Sequence, residues 1–330
     1  MAVETFTLPS FARTNLWAQV KRFSARAGFI NGLNPTLVGN VWYVNTNTTA
    51  SRGPIGSNGN DGLSPLTPFA TVAKAFTKIK STDVIVLEGD IREQVVSPAG
   101  IYDVTLIGGA NTPRQATSGG VATGGGATWR PPASPTAATP LLEILVQGWD
   151  VLNISFTPHT SSAGIRTTRS ASVDATDGSH FRISNCLFNA QGGSGTIGIE
   201  DNGGASFGMI DNCRFIGLTT AIKGLNTASN VPQGWRITQN RFNTNTNAIG
   251  MSLNQSLVDN NFIRQTANDT NFKVNLIAVS AQGEFNQVIN NIFPDAAANV
   301  TIAKGYKPGA NDVWRNQVTD TAADIVTVPA

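Results

Sequence analysis

The hydrophobic and polar positions of the chain follow a six-residue phrase that recurs between residues 151 and 293. It reads aliphatic, any residue, Asn/Gln/Asp, any two residues, Phe. Its copies are VLNISF (Val151–Phe156), ISNCLF (Ile183–Phe188), IDNCRF (Ile210–Phe215), ITQNRF (Ile237–Phe242), LVDNNF (Leu257–Phe262) and VINNIF (Val288–Phe293). The closing Phe residues are 20 (242 to 262) to 32 (156 to 188) positions apart, which indicates stacked supersecondary units. We therefore predict an all-β solenoid, a single-stranded right-handed parallel β-helix over residues 83–320.

The phrase also predicts which side chains face the core, because side chains alternate between the two faces of a strand. With the closing Phe as position 0, the aliphatic at −5 and the amide at −3 share one face. Position −2 shares the face of the Phe. Stacked coils lie about 4.8 Å apart, so amides at like positions can hydrogen-bond along the stack, and we assign them a structural role. The −2 positions are Cys186, Cys213, Asn240, Asn260 and Asn291. The −7 positions are aromatic, and we predict that they form a core aromatic stack rather than platforms for sugars. They are Trp149, Phe181 and Trp235.

Each phrase is followed by a second short strand. The copies are AGIR (Ala163–Arg166), IGIE (Ile197–Glu200), TAIK (Thr220–Lys223), NAIG (Asn247–Gly250) and NLIA (Asn275–Ala278). The last residue of each copy forms an outward row, which places Glu200 between the cations of Arg166 and Lys223.

The two ends of the chain depart from the coil pattern. Residues 1–40 are basic and partly apolar, and we predict an anchoring arm, with a frayed terminus as the alternative. Its candidate docking residues are Arg13, Trp17, Lys21, Arg22 and Arg26. Within the segment 41–82, Thr67 as N-cap and Pro68 as first residue predict an amphipathic helix over 68–80 that covers the open end of the stack. We predict a C-terminal strand or tail over residues 321–330.

Composition excludes several classes of function. A net charge of +2 does not suggest a nucleic acid partner, and no apolar run reaches the ~20 residues of a membrane span. We expect no secretory signal, no metal site and no cofactor. Cys186 and Cys213 occupy neighbouring places in one row, where two free buried thiols are favoured over a disulfide.

The carboxylates offer candidates for catalysis. Glycoside hydrolysis needs two of them, about 5–9.5 Å apart. The candidates are Asp174, Asp177, Glu200 and Asp201. Cations on both sides of Glu200 favour its ionised form, which argues against an acid catalyst. We therefore predict no catalytic residue, although convergence of the 174–177 corner with Glu200 and Asp201 would create a pair.

A second outward row precedes each closing Phe and carries two arginines on successive coils. It contains Ser155, Leu187, Arg214, Arg241, Asn261 and Ile292. Arg214 and Arg241 are candidates for gripping an anionic sugar or a neighbouring subunit. The alternatives are an ion pair with Asp211 or simple exposure to solvent.

The segment DGLSPLTPFATVAKAF, then DVIVLEGDIREQV and VTLIGG, followed by I-x-N-C-x-F coils, resembles the pectin-lyase-like β-helix superfamily. More narrowly, residues 41–320 are similar to its phage virion members, tailspikes and other surface proteins. The resemblance implies a homotrimer anchored through an N-terminal segment to a major capsid protein or a tail or connector protein. It further implies a place on the virion surface after assembly in the host cytoplasm, with host surface polysaccharide as an additional partner.

The shortness of the chain favours capsid decoration over an autonomous tailspike. The leading hypothesis is a non-enzymatic structural spike. The rivals are a tailspike depolymerase or receptor-binding protein acting as a glycoside hydrolase or polysaccharide lyase, and a bacterial carbohydrate-active enzyme.

Overall fold

The computed structural model is an all-β, right-handed parallel β-helix, as predicted. It describes residues 39–47, 54–109, 126–160, 162–170, 176–190, 196–224, 231–264, 274–276, 285–293, 306–307, 312–315 and 318–319. The named strands form three sheets, here called A, B and C, in which every strand pair is parallel. Crossovers between parallel strands of one sheet are right-handed, so the chain winds as a right-handed coil.

Each complete coil has one strand segment in each sheet, and β2 supplies the segments for both sheet A and sheet B. Sheet A contains β1 (Val41–Asn45), β2 (Val84–Ile91), β4 (Thr105–Gly108), β7 (Asp150–Leu152), β10 (Arg182–Ser184), β13 (Met209–Asp211), β16 (Arg236–Thr238), β19 (Leu257–Asp259), β22 (Gln287–Ile289) and β25 (Val313–Arg315). Sheet B begins at the end of β2 and continues through β5 (Ala127–Trp129), β8 (Ile154–Phe156), β11 (Leu187–Asn189), β14 (Arg214–Ile216), β17 (Arg241–Asn243), β20 (Phe262–Arg264), β23 (Ile292–Phe293) and β26 (Val318–Thr319). Sheet C contains β3 (Val95–Val96), β6 (Leu142–Ile144), β9 (Ala163–Thr168), β12 (Ile197–Asn202), β15 (Thr220–Lys223), β18 (Asn247–Met251), β21 (Val274–Leu276) and β24 (Tyr306–Lys307).

The core combines aliphatic side chains from all three sheets with a column of stacked aromatic rings on the inner face of sheet B. Phe156, Phe188, Phe215 and Phe242 are fully buried, and their ring centroids are 5.1, 5.0 and 4.9 Å apart in turn. The −7 aromatics are also buried, and the indole N–H of Trp149 donates to the carbonyl of Ile101 at 3.0 Å. The −7 aromatics therefore lie in the core as predicted, and Phe181 packs edge-on against Trp235 with ring centroids 5.1 Å apart.

The fifth copy of the phrase is offset by one residue from its prediction. Phe242 pairs with Ile263, and Arg241 pairs with Phe262. Ile263 therefore fills the core position, while Phe262 lies in the outward row where the sequence placed Asn261. The predicted inward orientation of Phe262 is wrong, because the alternation along a strand moves every side chain to the other face when the register slips by one.

The same offset corrects the buried −2 row, which contains Asn261 instead of the predicted Asn260. The side-chain oxygen of Asn261 accepts from the backbone N–H of Asn240 at 2.9 Å. The Asn261 amide group donates to the carbonyl of Ile237 at 2.9 Å and to Asn291 Oδ1 at 2.9 Å. The amide ladder is thus structural, as predicted. Cys186 and Cys213 continue it as free buried thiols, and burial raises the pKa of the Cys213 thiol.

The amide at −3 does not share the inward face, contrary to prediction. It turns a corner between sheets A and B in the left-handed region, with φ near 55°. The residues are Asn153, Asn185, Asn212, Gln239, Asn260 and Asn290. Among non-glycine residues Asn tolerates this conformation well, which explains its recurrence. Each corner N–H donates to the next coil, as Asn185 does to the carbonyl of Asp211 at 3.1 Å.

The helix predicted over 68–80 is shorter in the structure. This helix, α1, spans Val72–Phe76, and its N-cap is Thr71 rather than Thr67. Thr67 Oγ1 instead donates to Asp61 at 2.6 Å. The first two helical N–H groups, of Val72 and Ala73, donate to the carboxylate of Glu93 at 2.8 and 2.9 Å. Val72, Ala75 and Phe76 are buried, and the Phe76 ring packs edge-on against Trp149 at 5.5 Å. The helix therefore packs against the aromatic core.

The ends of the solenoid extend the predicted pattern. β1 pairs with β2, so sheet A begins inside the segment assigned to the cap. The stack continues beyond the last copy of the phrase, because β24, β25 and β26 pair with the strands of the coil before them. The arm residues Arg13, Trp17, Lys21, Arg22 and Arg26, and the tail 321–330, lie outside the described residues.

Candidate functional site

The outward row of sheet C holds Glu200 in the predicted charge-alternating ladder. Arg166 Nε lies 2.8 Å from one carboxylate oxygen of Glu200, and Lys223 Nζ lies 3.1 Å from the other. Both oxygens are therefore engaged by cations on the neighbouring coils. The row ends differently from its prediction, because Asn275 pairs with Gly250, and Ala278 lies outside the described residues.

Asp201 follows Glu200 on β12 and points to the opposite face, into the solenoid. Its side chain is fully buried. Its oxygens accept from the N–H of Gly204 at 3.0 Å and of Ala205 at 2.9 Å, and from the hydroxyl of Thr167 at 3.3 Å. These bonds tie the β12 exit loop to the core, which is a structural role. Burial raises the pKa of Asp201 to about 7.

We expect this buried carboxyl to make the protein more stable at pH 5 than at pH 8. The pKa of Asp201 is about 7 in the folded chain against an ordinary value of 3.8, so the folded state binds the proton more tightly. The stabilisation is complete below pH 3.8 and is lost as pH rises through 7. Between pH 5 and 8 we expect a loss of about 2–3 kcal/mol in the free energy of unfolding, measured by urea denaturation.

The variant Asp201→Asn cannot titrate and should show a flatter dependence on pH over the same range. Burial raises the pKa of Asp150 as well, to about 6, so a smaller slope of the same sign remains in the variant. Equal slopes in the variant and the parent protein would assign the dependence to a group other than Asp201.

Asp177 lies at a corner where its carboxylate is already bound. Gln147 Nε2 donates to it at 2.6 Å and the N–H of Ser179 at 3.1 Å, and Arg169 Nε lies 4.0 Å away. Burial opposes ionisation, but hydrogen bonds from Ser179 and Gln147 outweigh it and hold the pKa of Asp177 below its ordinary value. Asp174 lies outside the described residues.

The corner that contains Asp177 and the loop that follows β12 lie close together, as expected. Contact between them is made by Arg169 and backbone carbonyls, and the carboxylates do not meet in one site. Arg169 donates its backbone N–H to the carbonyl of Asn202 at 3.2 Å and a guanidinium N–H to that of Gly204 at 3.3 Å. Glu200, however, faces outward between two cations and Asp201 faces the core. Each of the three described candidates therefore has structural partners in a separate environment.

A charged cluster on the outer face of sheet A was missed by the sequence reading. Arg182 binds Asp211 through two nitrogens at 3.0 and 3.1 Å, and Ser184 Oγ donates to the same carboxylate at 2.7 Å. Burial raises the pKa of Asp150 to about 6, and the Arg182 guanidinium opposes the rise. Asp150 and Arg182 pair on adjacent strands. Each directly precedes the first aliphatic residue of a copy of the phrase, and this common position could have indicated the cluster. Because Asp211 is bound by Arg182 and Ser184, it is not the ion-pair partner proposed for Arg214.

The outer face of sheet B carries a groove across β14, β17 and β20. Its volume is about 160 Å³, and it is lined by Arg214, Ile216, Arg241, Phe242, Asn243, Phe262 and Arg264. Arg214 pairs directly with Arg241, and Arg241 with Phe262. The Arg241 guanidinium lies over the Phe262 ring, 5.3 Å from its centroid.

The groove begins where the outward row of sheet B becomes exposed. Ser155 and Leu187 are almost fully buried, whereas Arg214 and Arg241 are exposed. Among the described residues, three arginines and no carboxylate line it. The groove is smaller than the ~300–1,000 Å³ of sites that enclose a small molecule. This arrangement can therefore hold an anionic segment of an extended ligand against the sheet.

Two further features bear on the chemistry open to the described residues. Within the ranges given above, no group of three or more His, Cys, Asp and Glu side chains is placed to hold a metal ion. In that same part of the chain, no helix is long and apolar enough to cross a membrane.

No protein-family model and no curated protein matches the sequence. Among solved structures, the chain is similar to pectate lyase Pel9A, with 12% identity over 85% of this chain and 78% of that chain and a TM-score of 0.39. It is also similar to a pectin methylesterase from Aspergillus niger, with 13% identity over 86% and 93% and a TM-score of 0.44. The Dettilon tailspike protein shows 14% identity over 91% and 73% and a TM-score of 0.36. These neighbours are right-handed parallel β-helix proteins, and at this level of identity the likeness assigns no role to a residue.

Proposed function

We propose that this protein is a non-enzymatic surface protein of a tailed-phage virion that binds host surface polysaccharide through the sheet B groove. The observation that carries the binding role is the exposed groove of Arg214, Arg241 and Phe262, which lies on a rigid parallel sheet. A sheet face fixes the spacing of its side chains, so the groove is organised before the ligand arrives. Preorganisation of this kind reduces the entropy lost on binding.

The non-enzymatic part of the proposal rests on the roles of the candidate carboxylates. Glu200 neutralises two cations, Asp201 holds a loop from inside the core, and Asp177 closes a corner. A general acid must be free to release its proton to the substrate. None of these three side chains belongs to the residues that line the groove. The rival function is a depolymerase that cleaves the same polysaccharide.

The virion part of the proposal rests on the sequence resemblance. It comprises a homotrimer whose residues 1–40 attach it to a major capsid protein, or to a tail or connector protein. Arg13, Trp17, Lys21, Arg22 and Arg26 would make that attachment. Quantitative mass spectrometry of purified particles tests it. Hundreds of copies would indicate capsid decoration, a few to a few tens a tail location, and absence from particles would overturn the virion role.

We expect the purified protein to retain host surface polysaccharide in a pull-down assay without shortening it. Chain length is measured by size-exclusion chromatography, and new chain ends by reducing-sugar release and by the ultraviolet absorbance of unsaturated lyase products. Glu200→Gln is the matched variant and should behave as the parent protein does. Fragments that appear with the parent protein and disappear with Glu200→Gln would establish the depolymerase instead.

A further inference from the structure

We infer that the ligand of the sheet B groove is an acidic saccharide, a glycan whose sugars bear carboxylates, aligned along the solenoid axis. This inference rests on the proposed function and adds the chemical class of the ligand. It is carried by the pairing of two arginines on adjacent strands, by the aromatic ring beside them, and by the absence of a carboxylate among the described residues of the groove lining.

The direct pairing of Arg214 with Arg241 is unfavourable for the fold. Like charges directly opposite each other on adjacent strands destabilise a sheet. Elsewhere the solenoid follows the opposite rule: Arg166, Glu200 and Lys223 alternate in sign on sheet C. On sheet A, Asp150 likewise pairs with Arg182. No carboxylate among the described lining residues offsets this pair, and an external anion would remove the repulsion when it binds.

The geometry of the sheet suits a linear ligand with repeated anionic groups. Adjacent strands are about 4.8 Å apart, and side chains two residues apart on one strand are separated by about 6.6 Å on the same face. Arg214 and Arg241 thus lie on a line parallel to the solenoid axis. Arg264 belongs to the next coil and is displaced from that line by two residues along the strand, because it pairs with Asn243. Guanidinium groups bind carboxylates through two parallel hydrogen bonds, so successive acidic sugars can meet successive arginines.

The aromatic ring favours a sugar over other polyanions. The Phe262 ring is partly exposed, and the Arg241 guanidinium lies over it. This contact positions the guanidinium and leaves apolar surface next to it, which a sugar ring can cover while its carboxylate meets the arginine. A nucleic acid would need a larger positive surface to neutralise several phosphates, and the chain has a net charge of only +2.

The test is an array of bacterial surface polysaccharides, probed with the intact protein. It carries neutral and uronic-acid-containing polysaccharides, and each acidic one is also spotted after its carboxyl groups have been reduced to alcohols. Single-stranded DNA is a further probe. We expect binding to acidic polysaccharides only, and a loss of at least about tenfold after carboxyl reduction, since one charge-assisted contact corresponds to about that factor.

Arg214→Gln and Arg241→Gln should each weaken binding by about tenfold. Arg236→Gln is the matched control, because Arg236 is exposed on sheet A in the coil that contains Arg241, and its removal changes the net charge equally. We expect no effect from the control.

The outcomes separate the two proposals. Binding of neutral polysaccharides that depends on Arg241, or binding unaffected by carboxyl reduction, overturns the acidic ligand and leaves a glycan-binding protein. No binding to any polysaccharide overturns the proposed function itself. Preferential binding of DNA that is lost in Arg214→Gln overturns both, and an equal loss in Arg236→Gln shows that net charge rather than the groove is responsible.

Discussion

Replacing Phe215 by alanine lowers the free energy of unfolding by about 3–5 kcal/mol. The ring is fully buried between Phe188 and Phe242, with centroid separations of 5.0 and 4.9 Å. Its removal opens a cavity that the two flanking rings cannot fill, because each is held by its own coil and by the backbone ladders of sheet B. Urea denaturation followed by circular dichroism measures the loss.

Phe262→Ala is the control for this prediction, because the sequence pattern alone ranks Phe262 with Phe215. The structure places Phe262 in the outward row and Ile263 in the core column. We therefore expect Phe262→Ala to change stability by less than about 1 kcal/mol, whereas Ile263→Ala should cost about 2–5 kcal/mol. The reverse order for these two variants would restore the register predicted from the phrase.

This contrast shows how far the sequence specifies the fold. The recurrence of Phe at similar intervals identifies coils, and four of those rings stack as predicted. In the fifth coil a second register fits the alternation of faces as well as the phrase does, because Leu257 and Val258 are both aliphatic, Asn260 and Asn261 are both amides, and Phe262 and Ile263 are both apolar. The pairing with the neighbouring coils decides between them, and it places Asn261 rather than Asn260 between Asn240 and Asn291 in the buried ladder.

The groove illustrates a different limit. The sequence identified Arg214 and Arg241 as one outward row, and the structure confirms that they are direct neighbours. It could not identify Phe262 or Arg264 as parts of the same surface, because the slipped register assigned Phe262 to the core. Nor could it show that Asp211 is bound by Arg182, which depends on side-chain reach between strands. Periodicity predicts faces, whereas the contents of a site depend on register.

The cap shows that local signals can be overridden by long-range contacts. Thr67 followed by Pro68 is a favourable helix start, yet the helix begins after Thr71. The reason is the carboxylate of Glu93, which accepts from the N–H groups of Val72 and Ala73. That contact joins residues some twenty positions apart, and no local pattern in the sequence announces it.

Replacing Asn261 by leucine should cost about 2–5 kcal/mol of unfolding free energy. Leucine has a similar size, so the loss comes from hydrogen bonds rather than from a cavity. The backbone N–H of Asn240 loses its acceptor and the carbonyl of Ile237 loses its donor, and each unsatisfied buried group costs about 1–3 kcal/mol. The side-chain amide of Asn240 also donates to Asn261 Oδ1 at 3.1 Å, so the defect extends to the neighbouring coil.

Asn260→Gly is the matched control, one position away. Asn260 is an exposed corner residue with a φ of 53°, a conformation that glycine adopts without strain. We expect a change of less than about 0.5 kcal/mol, measured by urea denaturation under the same conditions. A large loss in Asn260→Gly with a small one in Asn261→Leu would contradict the ladder. The structural amide would then be the exposed one, and the core would not depend on hydrogen bonds between coils.

Because each coil of a solenoid contacts only its neighbours, the buried amide also joins the coil that carries Arg241 to the coil that carries Phe262. Loss of polysaccharide binding in Asn261→Leu, at a temperature where the protein remains folded, would show that the groove depends on this ladder for its register.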